Sequence, residues 1–189
     1  MEPVDPDELI DFLQEHEPEL GAKLEKLRAE KPGDFKRRLP VVSQLYQPVM
    51  REMKFDPTMA TLNVKRIRLR LEAKEAVEKI KESPEQGQEQ LRSAVASLFD
   101  TIIEQQALKL GRMKERLAKV RARSDDAKAD HKQTAKKGEK RGRRRRVRSG
   151  ERVKDYEKAL QVWRENREQI IELKYQEMQR GAKPFPWGR

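Results

Sequence analysis

The residues of this sequence best suited to chemistry form a basic tract from Lys136 to Arg148. Nine of its thirteen residues are lysine or arginine and one is acidic, a local net charge of +8 within a chain of +11. Clustered basic side chains neutralise phosphates whatever the base sequence. Two glycines and no aromatic residue suit an arm that follows a phosphate backbone rather than one that stacks on bases. We therefore predict that nucleic acid, or another polyanion, contacts Lys136, Lys137, Lys140, Arg141, Arg143, Arg144, Arg145, Arg146 and Arg148.

The tract also fits roles that involve no nucleic acid. It can be a solvated segment without a ligand, a localisation signal in a eukaryotic host, or an attachment to anionic lipid or an acidic protein. The residue types alone favour a polyanion and leave these alternatives open.

The residues that enzymes use for catalysis are sparse. The chain has no cysteine, and its two histidines, His16 and His131, are far apart and have no second histidine at metal-ligand spacing. Neither an H-E-x-x-H motif nor a Walker A, G-x-S-x-G or G-x-G-x-x-G motif occurs. We predict that the protein is not an enzyme and binds no metal or other cofactor.

Composition favours long helices with narrow apolar faces. Hydrophobic residues make up 35% and charged residues 41% of the chain, and good helix formers dominate. No window approaches 18 apolar residues, so we expect no membrane span. The acidic start, Met1 to Asp5, does not resemble a signal peptide, which predicts a cytoplasmic protein, or a periplasmic one if a leader was removed.

The element that must position the tract is a helix predicted from Gln88 to Arg123. Its apolar residues recur at alternating steps of four and three, the heptad period of a helix that packs along other helices. Gln106 interrupts this seam and either fixes the register of a partner helix or lies in solvent at a helix crossing. The seam comprises Phe99, Ile103, Gln106, Leu110, Met113, Leu117 and Val120, with a second row at Leu91, Val95, Leu98 and Ile102.

We predict an all-α fold: a small helical head, then an elongated antiparallel hairpin or three-helix coiled-coil bundle. The long helices are expected near 57–83, 86–123 and 151–180, and the first and last of these, or a second copy of the chain, would cover the seam. A strand was the less favoured alternative at Arg66–Leu71, where apolar and basic residues alternate. The predicted parts are a head at 1–55, a hairpin at 56–123, a basic flexible linker at 124–150, a helix at 151–181 and a tail at 182–189. The linker is interpreted as loop or disorder, and the sequence leaves open whether it is disordered or helical.

The tail places two aromatic residues, Phe185 and Trp187, between and after prolines, where no helix can form. Such a segment either docks on another protein or folds back onto its own chain. We therefore predict a protein partner at Phe185 and Trp187, in addition to homo-oligomer or partner contacts through the helical seams.

A likeness to known proteins rests on two segments. The capped start Asp5-Pro6-Asp7-Glu8 is followed by E-P-E-L-x-x-x-L-x-x-L from Glu17 to Leu27 and then by long charged helices. In this the chain resembles uncharacterised helical, coiled-coil proteins of bacteria, and in shape it is loosely similar to helical-hairpin envelope-stress and metal-resistance chaperones. It has no L-T-x-x-Q motif, signal peptide or metal-binding histidines of those chaperones, so no functional residue is transferred.

Two functions follow from these observations. The favoured one is a non-enzymatic scaffold or adaptor that binds nucleic acid or another polyanion through the arginine-rich segment. The alternative, which the resemblance also implies, is a purely protein-binding or chaperone-like coiled coil of the bacterial cell envelope or cytoplasm, with an incidental basic segment.

Overall fold

The computed structural model describes the backbone of residues 4–130 and 136–181, and the side chains of residues 4–123 and 149–181. Within these ranges the chain forms helices and no strand, which confirms the predicted all-α class. None of the described helices has an apolar stretch long enough to cross a bilayer. The helices are α1 (Pro6–His16), α2 (Pro18–Glu30), α3 (Pro32–Met53), α4 (Pro57–Glu82), α5 (Pro84–Asp130), α6 (Lys136–Glu165) and α7 (Arg167–Gln179).

Proline marks the start of α1 to α5, each of which has a proline as its first residue. The ring fixes φ near the helical value, and its missing N–H would have no partner in the first turn. Asp5 and Asp56 precede two of these prolines and accept hydrogen bonds from the backbone N–H groups of Asp7 (2.9 Å) and Met59 (3.1 Å). The helix starts predicted at Asp5-Pro6 and Asp56-Pro57 are present in the structure.

The first three helices and the start of α4 share one apolar core. Leu9 and Leu13 of α1 are fully buried, and Tyr46 of α3 and Ala60 of α4 are almost as inaccessible. Fully burying a leucine stabilises a fold by about 1.5–3 kcal/mol, so these contacts hold the short helices together. Pro40 and Pro48 lie inside α3, which is one helix through both positions.

Helices α4 and α5 pack as antiparallel neighbours around the turn at Ser83. At Gly87 the backbones approach so closely that a Cβ atom would lie 2.5 Å from the backbone nitrogen of Ile80. Further from the turn, Leu69 of α4 and Ser97 of α5 line the same cavity. The structure is helical at Arg66–Leu71, and Leu69 is buried there, because the helical period of α4 extends beyond the short alternation.

The chain divides into two compact units, Met1–Thr101 and Ile102–Arg189, with the boundary inside α5. The boundary lies within the expected hairpin domain at 56–123, and the predicted division into domains stays a prediction. In the second unit α5 and α6 share an apolar cluster, with Leu110, Val153 and Leu160 buried. The description of the predicted bundle as a coiled coil stays a prediction.

Two helix boundaries in the second half of the chain differ from the sequence prediction. The expected linker at 124–150 is helical at 124–130 and 136–150. No proline lies between Pro84 and Pro184, and lysine, arginine and alanine favour helix without an apolar period. The expected helix at 151–181 is interrupted at Asn166, whose side-chain amide donates to the Val162 carbonyl at 2.8 Å, a local bond that competes with the helical ones.

Candidate polyanion-binding surface

The basic tract forms the first part of α6, because the backbone from Lys136 to Arg148 is helical. The side chains of the nine predicted contacts belong to segment 124–148, which lies outside the described side chains. A helical backbone turns by about 100° per residue. Nine basic positions among thirteen consecutive ones are therefore distributed around the whole circumference, and the charge is not confined to one face.

A second group of basic residues runs along the C-terminal half of α5. The five residues follow one another at steps of three, four, three and four, so they share one stripe of the helix. Arg112 is half-buried, and the other four are exposed. We call these four, Lys109, Arg116, Lys119 and Arg123, the α5 row.

Neighbouring residues along this stripe carry the same charge. Like charges three or four residues apart destabilise a helix by about 0.2–0.5 kcal/mol per pair, so the whole stripe costs about 1–2 kcal/mol. Other helices of the described chain pair lysine or arginine with an acid at the same spacing. Such pairs are Lys26–Glu30, Arg37–Asp34, Lys81–Glu78 and Lys174–Glu177. The stripe on α5 is thus a local excess of positive charge.

Apolar packing against α6 holds α5 in place despite this repulsion. Leu110, Val153 and Leu160 are each at most 8% exposed, and each buried side chain contributes about 1.5–3 kcal/mol. Their combined contribution exceeds the repulsion along the stripe. The half-buried residues packed around them are Ile103, Ala107, Met113, Leu117 and Tyr156.

Two contacts show that α5 and α6 run antiparallel. Lys114 Nζ lies 2.6 Å from Glu157 Oε1, and Arg121 Nη2 lies 3.6 Å from the position a Cβ atom would take at Gly150. Seven residues forward along α5 thus correspond to seven residues backward along α6. Since Arg148 is two residues before Gly150, the basic tract ends beside the basic end of the described part of α5.

Gln106, which interrupts the apolar seam, fixes the pairing of the same two helices. The Tyr156 hydroxyl donates a hydrogen bond to Gln106 Oε1, and both side chains are half-buried. Burial raises the pKa of Tyr156, so its hydroxyl keeps the proton that it donates. Of the two alternatives considered for Gln106, register and solvent exposure, this contact favours register.

The apolar period of α5 does not reveal the contribution of this helix to the charge of the region. Residues 109–150 contain 18 lysines and arginines and 5 acidic residues, a net charge of +13, which exceeds the +11 of the whole chain. We had interpreted α5 by its apolar period alone. The signal that identifies the stripe is its own alternation of three and four, offset from the apolar one.

The ionisable groups buried in the first unit have a structural role. Glu17 is 8% exposed and lies 3.7 Å from Arg68 Nη1; burial raises the pKa of Glu17, and the arginine opposes that rise. The Tyr46 hydroxyl is buried without a hydrogen-bond partner in the described chain, and burial together with Glu17 raises the pKa of Tyr46 to about 12. Such a phenol stays protonated at neutral pH and does not serve as a base.

One of the two histidines, His16, lies within the described side chains. His16 stacks obliquely on Phe12, with 4.5 Å between ring centroids, and lies 3.9 Å from a carboxylate oxygen of Glu15. His131 lies outside the described residues. Among the described side chains, those of residues 4–123 and 149–181, no group of three histidine, aspartate or glutamate residues is arranged to hold a metal ion.

A groove in the first unit is lined by more acidic residues than by lysine and arginine, which is unfavourable for a polyanion. It encloses about 710 Å³ between α1 and α3, and Phe12 and Met50 form part of its apolar lining. One wall carries four acidic residues, which repel phosphate. These are Asp5, Glu8, Asp11 and Glu15.

The predicted partner contacts of the tail, Phe185 and Trp187, lie outside the described residues. Comparisons of the chain with protein-family models, curated proteins and solved structures found no match. The likeness in shape to envelope-stress chaperones therefore stays a prediction, and the candidate surface is argued from the residues of this chain.

Proposed function

We propose that this protein is a non-enzymatic helical scaffold or adaptor that binds nucleic acid, without base specificity, through the basic tract at 136–148. The observation that carries the proposal is the net charge of +13 within residues 109–150, against +11 for the whole chain. A segment of this kind releases counterions from phosphates on binding, which gives affinity for a nucleic-acid backbone regardless of its bases.

The density of charge along the tract supports this choice of ligand. Thirteen helical residues rise by about 20 Å, so nine basic residues place one positive charge at about every 2.2 Å. Duplex DNA carries one negative charge per about 1.7 Å of its axis. Because the two densities are of the same order, the part of the tract that faces a duplex can neutralise several of its phosphates.

The experiment that tests the proposal removes charge from the tract and leaves the helix-forming composition intact. The tract variant carries Arg143→Gln, Arg144→Gln, Arg145→Gln and Arg146→Gln, since glutamine favours helix almost as well as arginine. Binding to a labelled 25-base-pair duplex is measured by fluorescence anisotropy in 100 mM KCl. We expect the tract variant to bind at least tenfold more weakly than the wild type.

A matched control separates the tract from net charge alone. The head control variant loses four exposed basic residues of the first unit, through Lys23→Gln, Lys36→Gln, Arg38→Gln and Lys65→Gln. Both variants lose the same net charge, and we expect the control to bind within about twofold of the wild type. Equal losses in the two variants would refute the proposed site, because they would leave net charge as the cause.

A protein-binding role is the second candidate, and the end of the apolar seam favours it. The seam is buried at Leu110, half-buried at Leu117, and 51% exposed at Val120. An exposed seam residue next to a packed helix pair is a natural contact for another helix, in a partner or in a second copy. Single exposed apolar residues are common in monomers, so the observation is weaker than the charge.

Light scattering on the purified chain tests this second function. A seam contact between copies predicts a mass that rises with concentration and falls to that of a monomer in Val120→Lys. A monomer of 22.3 kDa at all concentrations would contradict homo-oligomerisation through this seam and leave nucleic-acid binding as the better supported function.

A further inference from the structure

We infer that the α5 row, Lys109, Arg116, Lys119 and Arg123, is a second set of phosphate contacts beside the tract, and that the partner is a double-stranded nucleic acid. The inference rests on the proposed function and extends its site to a helix that the sequence analysis interpreted as purely structural. It also narrows the partner from any nucleic acid to a duplex.

The first argument is the charge on the row itself. All four side chains are exposed, and each has a basic neighbour three or four residues away on the same stripe. Helices elsewhere in the described chain place an acid at that spacing, as in Lys81–Glu78 and Lys174–Glu177. Among the described side chains one acid, Glu115, lies at that spacing, four residues before Lys119, so the repulsion along the row is only partly balanced. A bound row of phosphates would relieve the rest.

The second argument is the position of the row. The antiparallel pairing at Lys114–Glu157 and the contact of Arg121 with Gly150 bring the part of α5 that ends at Arg123 alongside the C-terminal end of the tract. From Lys109 to Arg123 the helix rises by about 21 Å. That length corresponds to about six base-pair steps along the axis of a duplex at 3.4 Å per step, so the row is long enough to meet more than one phosphate.

The third argument concerns the kind of nucleic acid. Proteins that bind single strands stack successive bases on aromatic side chains, and residues 109–150 contain no phenylalanine, tyrosine or tryptophan. The row lies on a helix that apolar packing holds against α6, so its charges have fixed spacing. Fixed charges match the regular phosphates of a duplex better than those of a flexible strand.

The test uses a row variant of the full chain, Lys109→Gln, Arg116→Gln, Lys119→Gln and Arg123→Gln. Fluorescence anisotropy in 100 mM KCl compares its affinity for a 25-base-pair DNA duplex, an RNA duplex of the same length and a 25-nucleotide oligothymidine. The head control variant loses the same charge, and the tract variant reports on the proposed function. Circular dichroism checks the fold, and thermal unfolding in low salt should show a midpoint no lower than that of the wild type, since repulsion has been relieved.

The wild type should bind at least one duplex at least tenfold more tightly than the single strand, and the row variant should lose at least tenfold in affinity for that duplex. Retention of duplex affinity by the row variant, with a loss in the tract variant, would overturn the inference and leave the proposed function standing. Equal wild-type affinity for duplex and single strand would overturn the choice of partner. Wild-type affinity in both variants would refute the proposed function itself.

Discussion

Gly87 is the position where a single methyl group should affect this fold most clearly. It lies in the first turns of α5, against the end of α4. A Cβ atom there would lie 2.5 Å from the backbone nitrogen of Ile80, 2.7 Å from its Cα and 2.8 Å from its Cγ1. Two of these three atoms belong to the backbone, so Gly87→Ala must push the two helices apart.

The cost can be worked from this geometry. Overpacking of a close contact typically destabilises by about 1–3 kcal/mol, whereas alanine in place of glycine gains at most about 1 kcal/mol of helix propensity. The steric term is the larger, so we expect Gly87→Ala to lower the free energy of unfolding by about 1–2 kcal/mol. For a chain of this size, that lowers the melting temperature by about 2–8 °C.

Gly111 in the same helix provides the control. No atom lies within 4 Å of the Cβ position there, so Gly111→Ala should gain helix propensity without a clash and stabilise by up to about 1 kcal/mol. Chemical denaturation followed by circular dichroism measures both variants against the wild type. If Gly87→Ala were as stable as Gly111→Ala, the close approach of α4 and α5 at Ile80 would be refuted.

Three further predictions concern single side chains. Tyr156→Phe should lower the free energy of unfolding by about 1 kcal/mol, because it removes the hydrogen bond to Gln106. A double-mutant cycle with Gln106→Leu should show coupling, and additive losses of stability would contradict this hydrogen bond. Tyr46→Phe removes a buried hydroxyl that has no hydrogen-bond partner in the described chain, so it should raise the free energy of unfolding by up to about 1 kcal/mol, measured by urea denaturation. A lower free energy of unfolding would contradict the unpaired state of this hydroxyl. Burial raises the pKa of Glu17 above 4.5, so the contribution of Glu17 to stability falls as pH rises from 4.5 through that raised pKa. Arg68→Gln removes the charge that opposes this rise, so it should destabilise by about 0.5–1 kcal/mol at pH 7 and by less at pH 4.5. Equal losses of stability at the two pH values would contradict the ion pair.

Local signals in the sequence were enough to predict where several helices begin. Asp5-Pro6 and Asp56-Pro57 combine a capping carboxylate with a proline that fits the first turn, and both start helices in the structure. These signals act within four residues and need no knowledge of the rest of the chain. The apolar period likewise identified Leu110 as a buried residue of the long helix.

Features that depend on competition between elements could not be predicted. The segment at 136–148 has no apolar period, yet its backbone is helical, because helix propensity acts without packing and no proline interrupts it. Thr101 and Gln105 are almost fully buried beside the predicted seam. Burial of a polar side chain depends on which helices surround it, and a one-dimensional pattern contains no such information.

The sequence alone predicts one part of the candidate surface, the tract, but not the other part, the α5 row. The tract is a contiguous run of charge, which composition reveals directly. The α5 row is spread over fifteen residues and mixed with the apolar seam, and acids elsewhere in the chain hide it in the total charge. The α5 row becomes apparent from its helical spacing and from the exposure of its four side chains. The antiparallel contact between α5 and α6 then relates it to the tract.

The salt dependence of duplex binding by the wild-type chain tests the central claim most directly. The tract and the α5 row together offer more than six basic side chains, and six to ten phosphate contacts reduce affinity by about 10³–10⁵ between 50 and 200 mM salt. We predict a plot of log affinity against log salt concentration with a slope of about −5 or steeper. A slope near zero, or no binding to the duplex at 50 mM salt, would contradict nucleic-acid binding through this surface.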